Sequence, residues 1–161
     1  MNREEEILER MKEKFGDKIK NIRIQRSRRM FAEIDAKNLK EILRYARDEL
    51  GFDYISTITG EDLGEEIGLI YHIAYKNAIE LSIKTKVPKK DPKITTIIDI
   101  YPPAGIYERE VHDLLGVVFD GNPDLSPLLL PDNWPKGVYP LRKDVSLEEI
   151  KTIIEKGGEE R

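Results

Sequence analysis

Chemistry can concentrate in one stretch of this chain, Glu108-Arg109-Glu110-Val111-His112-Asp113. On a helix, Glu108 and His112 lie four residues apart on one face, a spacing two zinc ligands can use, and Asp113 could assist them. Such a set would support metal-dependent hydrolysis by a stand-alone enzyme. A catalytic zinc site normally takes three protein ligands, however. The chain has no cysteine and only one other histidine, His72, which falls in a strand-like run with no acidic cluster beside it in sequence. The competing reading is an ion-pair network in which Arg109 bridges carboxylates on neighbouring turns of a charged helix lying against a protein partner. No nucleophile elbow is present, and Gly60, Gly64 and Gly68 lie between strands rather than opening a helix, so they form no nucleotide fingerprint.

The elements that must position this helix can be read from periodicity. Ile7, Leu8, Met11 and Phe15 predict a helix over 4–15 that Gly16 stops. Segments 19–25 and 30–35 alternate as two strands joined by an Arg/Ser turn. Leu39, Ile42, Leu43, Ala46 and Leu50 form the stripe of a second helix, with Asn38 and Glu41 as a capping pair and Gly51 as the stop. A strand follows near 52–59. The clearest strand signal is the double alternation Ile67, Leu69, Tyr71, Ile73, Tyr75 and Ile79, Leu81, Ile83, Thr85, a hairpin turned at Lys76-Asn77. Asp91-Pro92 reads as a helix start for Ile94, Ile97, Ile98 and Tyr101, although the β-branched run 94–100 fits a strand equally well. After Pro102-Pro103 the motif helix runs from Ala104 to Leu115 and ends at Gly116.

Beyond residue 120 the composition changes. Seven of the nine prolines lie between Pro102 and Pro140, five of them within 121–140. Each removes a backbone donor and pushes its predecessor out of helical conformation, so this stretch forms neither ordinary helix nor central strand. Counted from Phe119 at its edge, it nevertheless carries Phe119, Leu125, Leu128, Leu129, Leu130, Trp134, Val138, Tyr139 and Leu141, more apolar surface than a free linker leaves in water. Such a strap must lie on its own domain or on a partner, and the low ordering entropy of a proline-rich segment favours a partner. Ser146 and Glu149 then open a last helix through Ile150, Ile153 and Ile154, which Gly157-Gly158 end. The expected division is a domain over 1–120 and a partner-binding strap with a short helix over 121–161.

Composition excludes several classes. Lacking cysteine, the 161-residue chain holds no disulfide, thiolate zinc or iron–sulfur cluster of its own. Its apolar runs fall far short of the ~20 residues that span a bilayer, and its polar start carries no export signal, which leads us to expect a cytoplasmic protein. A net charge of −4 argues against nucleic-acid binding. Charged residues make up 36 %, with Lys and Glu prominent and Ile commoner than Val, a balance found in heat-adapted proteins. The one basic cluster, Arg23, Arg26, Arg28 and Arg29, reads as a solvated hairpin end, with a local docking patch as the alternative.

The run Tyr101-Pro102-Pro103-Ala104-Gly105-Ile106-Tyr107-Glu108-Arg109-Glu110, continued by Asp113, Gly116, Phe119 and Gly121-Asn122-Pro123-Asp124-Leu125, resembles the signature of the 30 kDa subunit family of NADH:quinone oxidoreductase (complex I). Pro140-Leu141-Arg142-Lys143-Asp144 resembles the ending of the same pattern. Similar subunits occur in energy-converting membrane-bound nickel-iron hydrogenases and ferredoxin-linked complexes. Asn122 stands where complex I members usually carry His, and Ser126-Pro127 replaces a common Arg-Arg pair. The resemblance implies an α+β fold, a small mixed or antiparallel sheet with flanking helices and an extended C-terminal strap. It implies a non-catalytic subunit of a membrane-bound oxidoreductase, peripheral on the cytoplasmic face. Such a subunit would dock on the large catalytic subunit and an iron–sulfur small subunit, with the iron–sulfur clusters and the nickel-iron or quinone sites in those partners. The partner-binding residues would be Glu108, Arg109, Glu110, Asp113, Gly121, Pro123, Asp124, Leu125, Leu128, Leu130, Trp134 and Pro140 to Asp144. Of these, Leu128, Leu130 and Trp134 would supply most of the affinity, and Arg142 a bidentate contact to a partner carboxylate.

Overall fold

The computed structural model describes residues 1–159. Alternation of apolar and polar residues builds a five-stranded mixed sheet, in the order β1 (Ile19–Arg26), β2 (Arg29–Ile34), β5 (Ile79–Pro88), β4 (Glu66–Tyr75), β3 (Tyr54–Asp62). Neighbours are antiparallel except β2 and β5, which run parallel. The hairpin of β4 and β5 stays in register from Glu66 opposite Pro88 to Tyr75 opposite Ile79. Lys76 and Asn77 both take positive φ in the three-residue connection, and Ala78 N–H closes the turn on Tyr75 O at 2.8 Å.

One face of the sheet is dry. Met30, Ala32, Leu81, Ile83, Tyr71 and Ile73 are buried on it, and their sequence neighbours Glu33, Ser82, Lys84 and His72 take the wetter face. Helix α1 (Arg3–Phe15) contributes Ile7, Met11 and Phe15 to the core, and α2 (Leu39–Asp48) contributes Leu39, Ile42, Leu43 and Ala46. Burying a side chain of this size stabilises by roughly 1.5–3 kcal/mol relative to exposure. The third helix, α3 (Ala104–Leu115), reaches β3 closely because Gly60 has no side chain: a Cβ there would stand 2.5 Å from Leu115 Cδ1 and 3.1 Å from Val111 Cγ1. The α+β fold expected from sequence is therefore found, with a mixed sheet.

Three local expectations are corrected. Residues 91–101 form no helix, and the strand alternative holds at their start: Lys93–Thr95 is a short strand, β6, paired in parallel with β7 (Val118–Asp120), a strand not foreseen. The stiff β-branched run Ile94-Thr95-Thr96-Ile97-Ile98 favours extended backbone, and the core takes Ile94, Ile97, Ile100 and Tyr101. Asn38 does not cap α2 with its side chain, because a 3-10 turn over Ala36–Asn38 leads straight into the helix. Glu41 is instead bonded by Lys18 Nζ at 2.8 Å. The last helix, α4 (Leu147–Glu159), does open on the Ser146–Glu149 capping pair, but it runs through Gly157-Gly158 instead of stopping there. Residues 160 and 161 of the expected strap segment lie outside the described residues.

Candidate functional site

Helix α3 displays the motif, and three of its acidic and basic side chains point to three different tasks. Glu108 turns inward and is fully buried, with the Thr96 hydroxyl against both carboxyl oxygens. Burial pushes Glu108 up to about 7, although Thr96 and the Ile97 backbone oppose the shift. Tyr71, buried in the sheet below, is raised well above its ordinary value by desolvation and by the nearby Glu108 charge. Asn122 also leans toward the carboxyl, yet its buried Nδ2 makes no hydrogen bond of acceptable geometry, and the Tyr71 hydroxyl is likewise unpaired.

Asp113 works in the opposite direction. Its Oδ2 accepts main-chain N–H bonds from Leu128, Leu129 and Leu130 at 2.9, 2.8 and 3.1 Å. Burial disfavours its charge, but these three donors prevail and hold the carboxyl below the usual aspartate range. Arg109 grips the same loop: Nε and Nη2 donate to Ser126 O (3.2 Å), Ser126 Oγ (3.3 Å) and Pro127 O (3.0 Å), and Nη1 lies 3.8 Å from Asp124. Arg109 thus binds the strap and does not bridge helix carboxylates as expected. Its planar fork finds carbonyls in the strap because the prolines there leave them without helix or sheet partners.

The strap is fastened again where α3 ends. Gly116 is left-handed (φ +79°), and a Cβ there would stand 2.5 Å from the Tyr139 ring. Arg142 stacks on that ring at 4.5 Å and donates from Nε to Leu115 O at 2.8 Å, while Leu141 N–H bonds Leu114 O at 3.1 Å. A cation and an amide thus satisfy terminal helix carbonyls. Arg142 is therefore engaged with its own helix through Nε and the Tyr139 ring. Lys143 N–H bonds Asp62 Oδ2 (2.8 Å), which also receives Lys89 Nζ (2.7 Å), and Lys89 reaches Asp144 at 3.3 Å. The Lys89 bond, aided by the Lys143 and Gly64 amides, holds Asp62 far below the ordinary carboxylate range against the pull of burial.

Of the residues expected to touch a partner, Glu108 and Asp113 are buried and spent internally, and Glu110 is half-buried. Gly121, Pro123, Asp124, Leu128, Leu141, Lys143 and Asp144 are exposed, whereas Leu125, Leu130, Trp134 and Pro140 are half-buried. Trp134 donates Nε1–H to Val138 O at 2.8 Å and shares a cleft of about 420 Å³ with Leu125, Leu130 and Tyr139. Thr96, Asp62 and Lys89 were not foreseen. An aspartate two residues before Gly64 is a recognisable turn signal, and its Oδ1 does accept the Gly64 N–H at 2.8 Å, but no local pattern points to Lys89 or Lys143. The hydrolase set is not supported. His112 Nδ1 lies 2.8 Å from Val117 O, so Glu108, His112 and Asp113 face different partners. Among the described residues no three His, Cys, Asp or Glu are grouped to hold a metal.

Fold and site together define a two-layer α+β domain with a proline-rich strap pinned to its own third helix. The chain belongs to the family described as respiratory-chain NADH dehydrogenase, 30 Kd subunit, whose sequence pattern matches residues 32–151. It is 36 % identical over 141 residues to the C subunit of F(420)H(2) dehydrogenase from Methanosarcina mazei, covering 86 % of this chain and 89 % of that one. The beta subunit of membrane-bound hydrogenase from Pyrococcus furiosus is 29 % identical over 150 residues, covering 89 % and 87 %. The C subunit of NADH-quinone oxidoreductase from Chloroherpeton thalassium is 33 % identical over 147 residues, and this chain spans only 60 % of its length. Among solved structures, a chain of the membrane-bound sulfane sulfur reductase, an archaeal respiratory membrane complex, superposes with TM-score 0.83 at 31 % identity, covering 94 % of this chain and 91 % of that one. The resemblance read from the motifs is thereby borne out. No helix among the described residues is long and apolar enough to cross a membrane.

Proposed function

We propose that this chain is a non-catalytic subunit that docks on the large catalytic subunit of a membrane-bound, complex I-like or hydrogenase-like oxidoreductase, at the cytoplasmic face. The observation that carries the reading is the double character of the strap. Its backbone is clamped to α3 by Asp113, Arg109 and Arg142, yet Leu128, Leu129 and Leu141, with Leu147 and Ile154 of α4, turn their side chains to solvent. Polar clamps fix the course of the strap before any partner arrives, so little ordering entropy is lost on docking. Exposed apolar side chains on a preset frame are the form an anchor takes. Support for the partner class comes from the relatives, which are subunits of F(420)H(2) dehydrogenase, NADH-quinone oxidoreductase and membrane-bound hydrogenase. On this reading residues 121–161 act as the partner-binding segment, and the iron–sulfur clusters and nickel-iron or quinone sites belong to the large subunit and an iron–sulfur small subunit.

The test replaces Leu129 and Leu141 by Ser in the full chain and isolates the complex from membranes. The expected result is a loss of co-isolation with the large subunit of tenfold or more, about 1.4 kcal/mol, while the isolated chain unfolds at an unchanged temperature. Retention of the doubly substituted chain in the complex would remove this face from the interface.

A further inference from the structure

The opposite end of the sheet carries a feature the strap does not explain. Strand β1 is a free edge, and Asn21, Arg23, Ile24, Gln25 and Arg26 along it are all exposed. An edge strand leaves every second main-chain N–H and C=O without a partner. Residues 22–31 hold four of the chain's 11 arginines, no lysine and no acid. None of the ion pairs among the described residues involves Arg23, Arg26, Arg28 or Arg29. Two carboxylates stand near the hairpin: Glu4 accepts the Arg28 main-chain N–H at 3.0 Å, and Glu80, opposite Arg29 on β5, lies 3.5 Å from His72 Nδ1. In a chain of net charge −4 this is an isolated basic end.

Register narrows the usable edge. The pairing of β1 with β2 is irregular between Ile19 and Asn21 and again between Ile24 and Arg26, which leaves Asn21 to Ile24 as the regular window. Bulges and edge cations are devices against indiscriminate strand pairing, and here they also set a charge requirement. A second copy of the same edge would bring arginines against arginines, whereas an acidic strand would neutralise them. Arginine's planar fork pairs two-pronged with carboxylates, and Arg23 Cζ already stands over the Phe31 ring, 4.4 Å from its centroid.

We propose that the outer edge of β1 is a docking site for an acidic, extended segment of another subunit, which adds to the sheet beside Asn21–Ile24 and places carboxylates on Arg23, Arg26, Arg28 and Arg29. Main-chain bonds supply the attachment and the arginines the selection, as in recognition by strand addition generally. This inference goes beyond the strap reading and uses a different face, so either can fail alone.

The experiment follows amide exchange of the purified full chain with three probes: a blocked peptide of alternating Glu and Val, its Lys and Val counterpart, and phosphatidylglycerol vesicles. The acidic peptide is expected to slow exchange along 21–24. The Arg23→Ala/Arg26→Ala chain should bind it about tenfold more weakly, as loss of two partly exposed ion pairs allows, with its unfolding temperature unchanged. Binding should also weaken as salt is raised. No slowing at β1 by the acidic peptide, equal slowing by the Lys peptide, or slowing by vesicles alone would overturn the proposal, the last in favour of a lipid surface.

Discussion

Asp113 Oδ2 and the main-chain nitrogen of Leu129 lie 2.8 Å apart, in a bond flanked by those from Leu128 and Leu130, so one carboxylate fixes three successive residues of the strap. Asp113→Ala should raise amide exchange at 128–130 by about 10- to 100-fold, since bonds to a charged group contribute roughly 1.5–3 kcal/mol. The sign of the pH dependence follows from the depressed folded-state pKa. This stabilisation is present above the ordinary aspartate value and is lost as pH falls through the lower folded value. Unchanged exchange in the variant would place the strap's main attachment elsewhere.

Glu108 has the reverse sign. Its folded-state value of about 7 against 4.5 means that the folded protein holds a proton which the unfolded chain releases earlier. The contribution of Glu108 to stability is therefore fully present below about 4.5, declines as pH rises toward about 7, and is lost beyond, a span of roughly 3 kcal/mol. Urea unfolding at pH 5 and pH 8 measures this slope, and Glu108→Gln should abolish it. A slope that persists in the variant would assign it to another group.

Gly116→Ala strains a left-handed backbone and sets a methyl 2.5 Å from the Tyr139 ring. A loss of about 1–3 kcal/mol is expected. It should appear as faster exchange at Leu141 and Arg142, whose amide and guanidinium cap α3, with α1 and α2 unaffected. Global unfolding without this local signature would contradict the clamp.

Asp62→Asn removes the charge that joins Lys89 and the Lys143 amide, so the end of the strap should loosen without loss of the sheet. Because its folded carboxyl sits far below the ordinary range, the wild-type contact should persist at mildly acidic pH and fail only under strongly acid conditions. Exchange at Lys143 and Asp144 reads the effect directly.

Trypsin should cut the free chain after Lys136, at the exposed far bend of the strap, before it cuts after Arg109 or Arg142, whose side chains are engaged. The proline-rich composition on its own suggests sensitivity along the whole strap until a partner binds. Rapid cleavage after Arg142 would restore that view.

The sequence by itself determined the five strands of the sheet, though not their order, and most helices, because alternation in Ile67–Tyr75 and Ile79–Thr85 and the 3.6-residue stripe of α2 are local consequences of which face must leave water. It also placed α3 and its stop at Gly116, and its motifs led to the family. What each residue of the motif does was decided only by tertiary structure. Glu108 and Arg109 are adjacent in sequence, but the helix turns one into the core and the other onto the strap, and no local pattern tells which face β3 will cover until Gly60 lets α3 approach. The partners that set their chemistry are distant in the chain: Thr96 for Glu108, Ser126 for Arg109 and Leu128 to Leu130 for Asp113. The short pairing of β6 with β7 was equally illegible, since three residues carry too little periodicity to distinguish strand from helix. Hydrogen bonds to backbone leave no trace in side-chain composition. A strap held by its own carbonyls and amides therefore becomes visible only once the chain has closed on itself.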